Sequence, residues 1–275
     1  MKRRRMMKVI DKIIKIRMWS AIILAMVILG LPMATTAPAT TIGLDALHGP
    51  ASSEALGVGS WYGRMREELQ ANGYALQILY DFTPVTLSTC DAIFISQARS
   101  TTEAYMSEEI TSIHNYVTGG KGLLAIAEGG YNTDSTVGNF NDLLAPYGVR
   151  VNSIATMGNG YVVSGFVLHP VTDGITSVGL DYQRRLISIT APAIDLTLGS
   201  GEDNFLAAVI GVGGSGNVVI MSDSNPFIYP GDDTNIYQYD NLKLLMNVSA
   251  YTVPEPGTIA ILGLGGLALL RKRRA

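Results

Sequence analysis

The chain has very little cysteine and, over most of its length, very little positive charge. Cys90 is the single cysteine in 275 residues, so no intramolecular disulfide can form. A core of this size holds together without one, even in an exported protein. Cys90 itself reads as a small apolar residue at the start of a strand, not as a reactive thiol. Twelve of the twenty basic residues sit at the two ends, eight within the first 17 positions and four at 271–274. Between Thr40 and Thr252 eight basic residues face 21 acidic ones, a net charge of −13. A body that acidic repels phosphate backbones, which argues against nucleic-acid binding. There is no internal repeat.

The two ends read as addresses. A basic stretch, Lys2 to Arg17, precedes the apolar run Trp19 to Leu31 and then small residues up to Ala37-Pro38-Ala39. That order reads as a secretory signal, with cleavage by signal peptidase expected after Ala39, where Ala34 and Ala37 compete, the alternative being an uncleaved signal anchor. The apolar run is short against the roughly 20 residues that span a bilayer. At the other end Val253-Pro254-Glu255-Pro256-Gly257-Thr258 is followed by the apolar Ile259 to Leu270 and by Arg271-Lys272-Arg273-Arg274. The prolines stop the preceding helix and keep the chain extended. The basic cluster holds its side of a membrane, on the cytoplasmic face.

This tail resembles the PEP-CTERM sorting signal, whose substrates are recognised by exosortases. The resemblance implies transit to the cell surface, transient membrane anchoring through the apolar segment, and Pro254, Glu255 and Pro256 as the recognition motif. The expected organisation is therefore a signal peptide over 1–39, a body over 40–252 and a sorting segment over 253–275.

Within the body, strand and helix patterns alternate. Strands are expected at Thr41 to Asp45, Ala75 to Tyr80, Ala92 to Ser96 and Gly122 to Ala127, the third with the continuous apolar character of a buried parallel strand. Helices are expected at Ser60 to Asn72, ended by Gly73, and from a Ser107 N-cap with Glu108 and Glu109 in its first turn. A further helix spans Asn139 to Tyr147. The second half is richer in strands, at Val162 to Leu168, Arg185 to Ile189, Phe205 to Val212 and Asn217 to Met221. A last helix covers Asp240 to Tyr251, with Leu242, Leu245 and Val248 inward. Gly213-Gly214-Ser215-Gly216 lies between two strands, so it reads as a hairpin turn and not as a phosphate cradle. The pattern is a three-layer α/β domain with a mostly parallel sheet, flanked by the signal helix and the C-terminal apolar helix.

In their order, LDALHG, LQANGYALQIL, CDAIFIS, IHNYVTGGKGLLAIAEGG, LHPVTDGI and GNVVIMSDSNPF are similar to class I glutamine amidotransferase-like, flavodoxin-like domains. The resemblance covers most of residues 41–252. It implies a nucleophile on the turn after Gly122 to Ala127, where this chain has Glu128 in place of cysteine. Acyl transfer from glutamine needs a thiolate, so the activity is expected to be absent.

Open parallel sheets bind ligands at the carboxyl ends of their strands. There the sequence places Asp45 and His48, Gln97 and Arg99, Glu128, and Asp223 and Asn225. Asp45, His48, Glu128 and Asp223 would suit Ca²⁺, Mg²⁺ or Mn²⁺ if they met, but no tight ligand spacing marks such a site, and no cofactor is expected. His114 reads as a structural histidine in a helix and His169-Pro170 as a turn. Tyr229, Tyr237 and Tyr239 could stack on sugars or pack against the last helix, and Asp232-Asp233 reads as a solvated turn. Two functions follow. One is a non-catalytic surface module for a glycan or protein partner. The other is an extracellular hydrolase using Glu128, Asp45, His48 or Asp223, whose working carboxylates would stand roughly 5 to 9.5 Å apart.

Overall fold

The computed structural model describes residues 39–48, 62–98, 100–129, 133–154, 156–198, 204–212, 216–228 and 236–253. The expected signal helix, Gly213, Gly214 and Ser215 of the expected hairpin turn, and the tail from Pro254 onward lie outside the described residues. Among the described residues no helix is long and apolar enough to cross a membrane.

Three strand–helix–strand steps build the first half. They run β1 (Thr41–Asp45), α1 (Gly63–Ala71), β2 (Ala75–Leu79), α2 (Pro84–Ser88), β3 (Ala92–Ser96), α3 (Ser107–Thr118) and β4 (Gly122–Ile126). α4 (Val137–Leu144) follows. Then come β5 (Val149–Val151), β6 (Thr156–Ser164), β7 (Ser177–Gln183), β8 (Leu186–Ile189), β9 (Ala193–Asp195), β10 (Leu206–Val212) and β11 (Gly216–Met221), closed by α5 (Asn241–Thr252). The main sheet has seven strands in the order β2-β1-β3-β4-β11-β10-β9. β2, β1, β3, β4 and β11 are parallel, and β10 runs antiparallel to both β11 and β9. This is a mixed α/β sheet, mostly parallel, of the flavodoxin-like kind. β5 pairs with β8 and β6 with β7 in two small antiparallel ribbons.

Both faces of the sheet are covered, and the strands divide their side chains by alternation. Ile42, Leu44, Phe94, Leu124, Ile126, Val219 and Met221 pack on one side with Met65 and Leu69 of α1 and Leu244, Leu245 and Val248 of α5. Ile93, Ile95, Leu123, Ala125, Val218 and Ile220 pack on the other with Ile113 and Val117 of α3 and Phe140, Leu143 and Leu144 of α4. Cys90 is buried there too, at the amino end of β3, where burial pushes its thiol pKa up.

Several expectations shift, each for a local reason. Met106 and not Ser107 is the N-cap of α3, and Glu109 reaches back to accept the Met106 N–H at 2.8 Å. α4 starts at Val137, and Pro146 converts its end into a 3-10 turn over Ala145–Tyr147 because proline has no N–H to continue the ladder. The strand expected at 162–168 runs instead from Thr156 to Ser164 and stops at Gly165, whose φ of 92° takes the backbone out of the extended region. α5 starts at Asn241 with Asp240 as its N-cap residue, the Asp240 carboxylate accepting from Thr176 and Ser177, and Leu244 takes the buried place expected of Leu242. α2, β5, β7 and β9 were not expected from the sequence pattern. α2 is capped by Thr83, whose hydroxyl accepts the Thr86 N–H at 3.3 Å, with Pro84 opening the helix.

The amino end of the sheet is tightly sealed. Asp91 accepts the Thr41 N–H at 3.0 Å and an Nζ bond from Lys121 at 2.9 Å. A Cβ on Gly122 would lie 1.7 Å from the Thr252 carbonyl oxygen. α5 thus ends in contact with the first residue of β4, and Thr252 is wholly buried.

Candidate functional site

At the carboxyl end of β1 the chain folds back on the carboxylate that closes the strand. Asp45 Oδ1 accepts the N–H groups of Leu47 (2.9 Å) and His48 (3.0 Å). This is the local turn that aspartate makes with its own downstream backbone. His48 is thereby placed with Nδ1 3.2 Å from Asp45 Oδ1 and Nε2 3.4 Å from Glu109 Oε2. Its ring stacks on Tyr105 at 3.9 Å between centroids, with Phe82 at 5.3 Å. The Tyr105 hydroxyl lies 2.7 Å from Asp45 Oδ2 and 2.7 Å from the Ser96 carbonyl. Burial, with the charge of Asp45 beside it, raises the Tyr105 pKa well above its ordinary value. The strand order reverses between β1 and β3, so this group occupies the switch-point crevice in which such sheets hold ligands. The protein's own side chains fill it. A cavity of about 10 Å³ remains, lined in part by Asp45, Tyr62 and Ser96, room for about one water.

A second group forms between β4 and β11. Ala127 N–H donates to the Met221 carbonyl at 2.7 Å, which carries the pairing past the end of β4. Glu128 follows, mostly buried, its carboxylate bonded to the Ser224 hydroxyl. Asp223 accepts the N–H of Asn225 at 3.0 Å with Oδ1 and that of Asp181 at 2.7 Å with Oδ2. Asn225 Nδ2 donates to Asp181 Oδ2 at 3.2 Å. Burial first, and then the charge of Glu128, push the Asp223 pKa up to about 7. Arg184, fully buried, donates through Nε to the Glu128 carbonyl at 2.7 Å and through Nη1 to the Ser153 carbonyl at 2.8 Å, and it bonds the exposed Asp134.

Gln97 stands between the two groups. Its Oε1 accepts the Glu128 N–H at 3.3 Å, and its Nε2 donates to Thr136, whose hydroxyl is 2.6 Å from the Ala98 carbonyl. β3 separates β1 from β4, so two strand spacings, about 10 Å, part the Asp45 group from the Glu128 group. The expected residues therefore gather at one end of the sheet but in two clusters: Asp45 and His48 in one, Glu128, Asp223 and Asn225 in the other, with Gln97 bonded into the second. Arg99 lies outside the described residues, as do Tyr229, Asp232, Asp233 and the motif Pro254, Glu255 and Pro256. Among the described residues no three His, Cys, Asp or Glu side chains gather as metal ligands would. His114 Nε2 donates to the Leu143 carbonyl at 2.8 Å, and His169 Nδ1 accepts the Val171 N–H at 3.2 Å, both structural. The Tyr237 hydroxyl donates to Glu68 of α1 at 2.7 Å. Sequence reasoning missed Tyr105, Asp181, Arg184 and Ser224. Glu109 was visible in the sequence only as a favourable first-turn residue of a helix.

The raised Asp223 pKa has a signed consequence. Between about pH 4 and pH 7 the folded state keeps a proton that the unfolded chain releases, so raising the pH across that window favours unfolding. Stability is expected to fall by a few kcal/mol from pH 5 to pH 8 and to level off above. Glu128→Gln removes the neighbouring charge and is expected to flatten the fall. Urea midpoints of both proteins at the two pH values check this, and a wild-type profile that rises with pH would count against it.

The carboxyl-terminal residues 252–274 match the PEP-CTERM protein-sorting motif. No curated protein matches the sequence. Among solved structures, the mmIFT52 N-terminal domain superposes with a TM-score of 0.62 at 18% identity, covering 77% of this chain and 97% of that one. A cytoplasmic protein from Salmonella typhimurium gives 0.59 at 15% identity over 78% of this chain and 100% of that one. A protein described as a GMP synthase subunit from Thermoplasma acidophilum gives 0.50 at 12% identity over 78% and 96%. These likenesses are of fold alone.

Proposed function

We propose that this chain is an exported, exosortase-processed surface or matrix protein whose α/β body, residues 40–252, is a binding or structural module and not an enzyme. The match to the sorting motif carries the first half of that reading. It marks a protein exported to the cell envelope and handed to exosortase, with signal peptidase acting first at the other end, after Ala39. Pro254, Glu255 and Pro256 are the residues the sorting enzyme reads.

One observation supports a non-catalytic body. The carboxylates at the carboxyl end of the sheet are engaged with their own backbone. Asp45 holds the Leu47 and His48 amides, and Asp223 holds those of Asn225 and Asp181. Carboxylates used as struts in this way position loops that can meet a glycan or protein partner. Glu128 stands where the resemblance to amidotransferases would put a nucleophilic cysteine, and Cys90 is buried at the far end of the sheet. The hydrolase reading draws on a different observation. Burial and then the charge of Glu128 raise the Asp223 pKa, and two carboxyls so placed can divide acid and base roles.

Replacing Pro254, Glu255 and Pro256 together by alanine is expected to leave the unprocessed chain in the membrane fraction of the producing cell, and deletion of the sorting enzyme is expected to do the same. Antibody blotting of membrane and surface fractions reads this. Processing of the triple variant at the wild-type rate would remove the sorting reading. Turnover of an acyl, glycosyl or phosphoryl substrate that Glu128→Gln abolishes would replace the binding module by the hydrolase.

A further inference from the structure

The two points where the described body meets its flanking segments lie at the same end of the sheet. Thr41 opens β1 and is held there by Asp91, whose carboxylate accepts the Thr41 N–H and whose N–H donates to the Thr41 carbonyl at 2.7 Å. Thr252 closes α5 against Gly122, the first residue of β4. This is the amino end of the parallel strands, opposite the Asp45 and Glu128 clusters. The sorting match begins at residue 252, so the recognised segment starts on a residue still wholly buried in the fold.

Only Pro254 to Thr258 separate Val253 from the apolar Ile259–Leu270. Five residues reach about 18 Å when fully extended. A body of this size measures about 40 Å across. The connection is therefore shorter than the body it tethers and cannot pass around it to the other pole. α1, α2, α3 and α5 all end at this pole, which turns the negative ends of their dipoles the same way.

We infer that the amino-end pole is the surface this body presents to the membrane-embedded sorting enzyme while the tail is uncleaved, and that the polar clusters at the carboxyl ends are held on the far side from the bilayer. The helix carboxyl termini suit a partner surface that offers hydrogen-bond donors or cationic side chains over one that offers carboxylates. The inference rests on the sorting-signal reading and adds an orientation to it.

α3 supplies the ruler for a test. Glu108 in its first turn and Thr118 at its last residue are both exposed and lie about 15 Å apart along the axis. Full-length Glu108→Cys and Thr118→Cys chains are produced in the native host lacking the sorting enzyme, with buried Cys90 left in place. Spheroplasts are labelled with a membrane-impermeant thiol donor dye, and energy transfer to an acceptor lipid in the outer leaflet is measured. Transfer from position 118 is expected to exceed that from position 108 by roughly twofold or more, since 118 lies about 15 Å nearer the bilayer. Equal transfer from the two positions in a membrane-bound chain, or stronger transfer from 108, overturns the orientation and leaves the anchor standing. A chain recovered wholly in the soluble fraction overturns the anchor and the orientation with it.

Discussion

Gly122→Ala is expected to cost the domain about 3 kcal/mol or more, the upper end of what overpacking does. The new Cβ would sit 1.7 Å from the Thr252 carbonyl oxygen, 2.5 Å from its carbon and 3.0 Å from its Cα. All three are backbone atoms, so no rotamer change relieves the clash. The last turn of α5 has to move, and with it the Thr252 hydroxyl, now 2.9 Å from the Val248 carbonyl. Val248, Leu245 and Leu244 fill the core above β4 and β11, so the displacement spreads inward. Gly138→Ala is the control. It lies exposed in α4 with no atom within 4 Å of its added carbon, and alanine there gains up to about 1 kcal/mol of helix propensity. Urea unfolding of the two variants side by side checks the claim, and equal midpoints would refute the close seat of α5.

Asp223→Ala is expected to lose on the order of 4 kcal/mol at pH 5, and less at pH 8. The side chain accepts two buried N–H groups, from Asn225 and Asp181. Leaving such a donor unsatisfied costs about 1 to 3 kcal/mol each. Against that, deleting the group removes the cost of burying its charge beside Glu128. That relief grows between about pH 4 and pH 7, where the unfolded chain releases a proton that the folded state keeps, and is constant above. The deficit should therefore shrink with rising pH, and asparagine, which can accept only one of the two bonds, should fall between. Denaturant titrations at both pH values decide this. A deficit that grew with pH would place the charged form of Asp223 among the stabilising groups.

The parallel half of the fold was readable because its signals are local and redundant. Ala92 to Ser96 is an unbroken apolar run, Gly73 takes a φ of 89° to end α1, and the Gly119-Gly120 pair ends α3. Of the excursion between α4 and β10 only β8, and in part β6, were readable, because β5 and β9 are three residues each and lack an alternating pattern long enough to register. Among the site residues, Asp45, His48, Gln97, Glu128, Asp223 and Asn225 were found because the carboxyl ends of strands are where such sheets place polar groups. Their division into two clusters was not visible in the sequence. It depends on Tyr105 and Glu109 arriving from α3 and its approach and on Asp181 and Ser224 closing around Asp223 and Glu128, contacts of long sequence separation. Arg184 gave no warning either, since a lone arginine beside Arg185 looks like a surface pair until the fold buries one of them.

The place of β11 in the sheet sets when this domain can fold. It pairs with β4 on one side and β10 on the other, inside a sheet of seven strands, yet it is the last strand in sequence among the described residues. A polypeptide that crosses a membrane from its amino terminus delivers β1 to β4 first, and their core cannot close until residues 216–221 have also arrived. α5 then covers β4 and β11 only a few residues ahead of the sorting segment. Folding is thus held back almost to the end of translocation, which keeps the chain in a threadable state throughout export. The same delay couples completion of the core to the emergence of residues 252–274, the segment that matches the sorting motif.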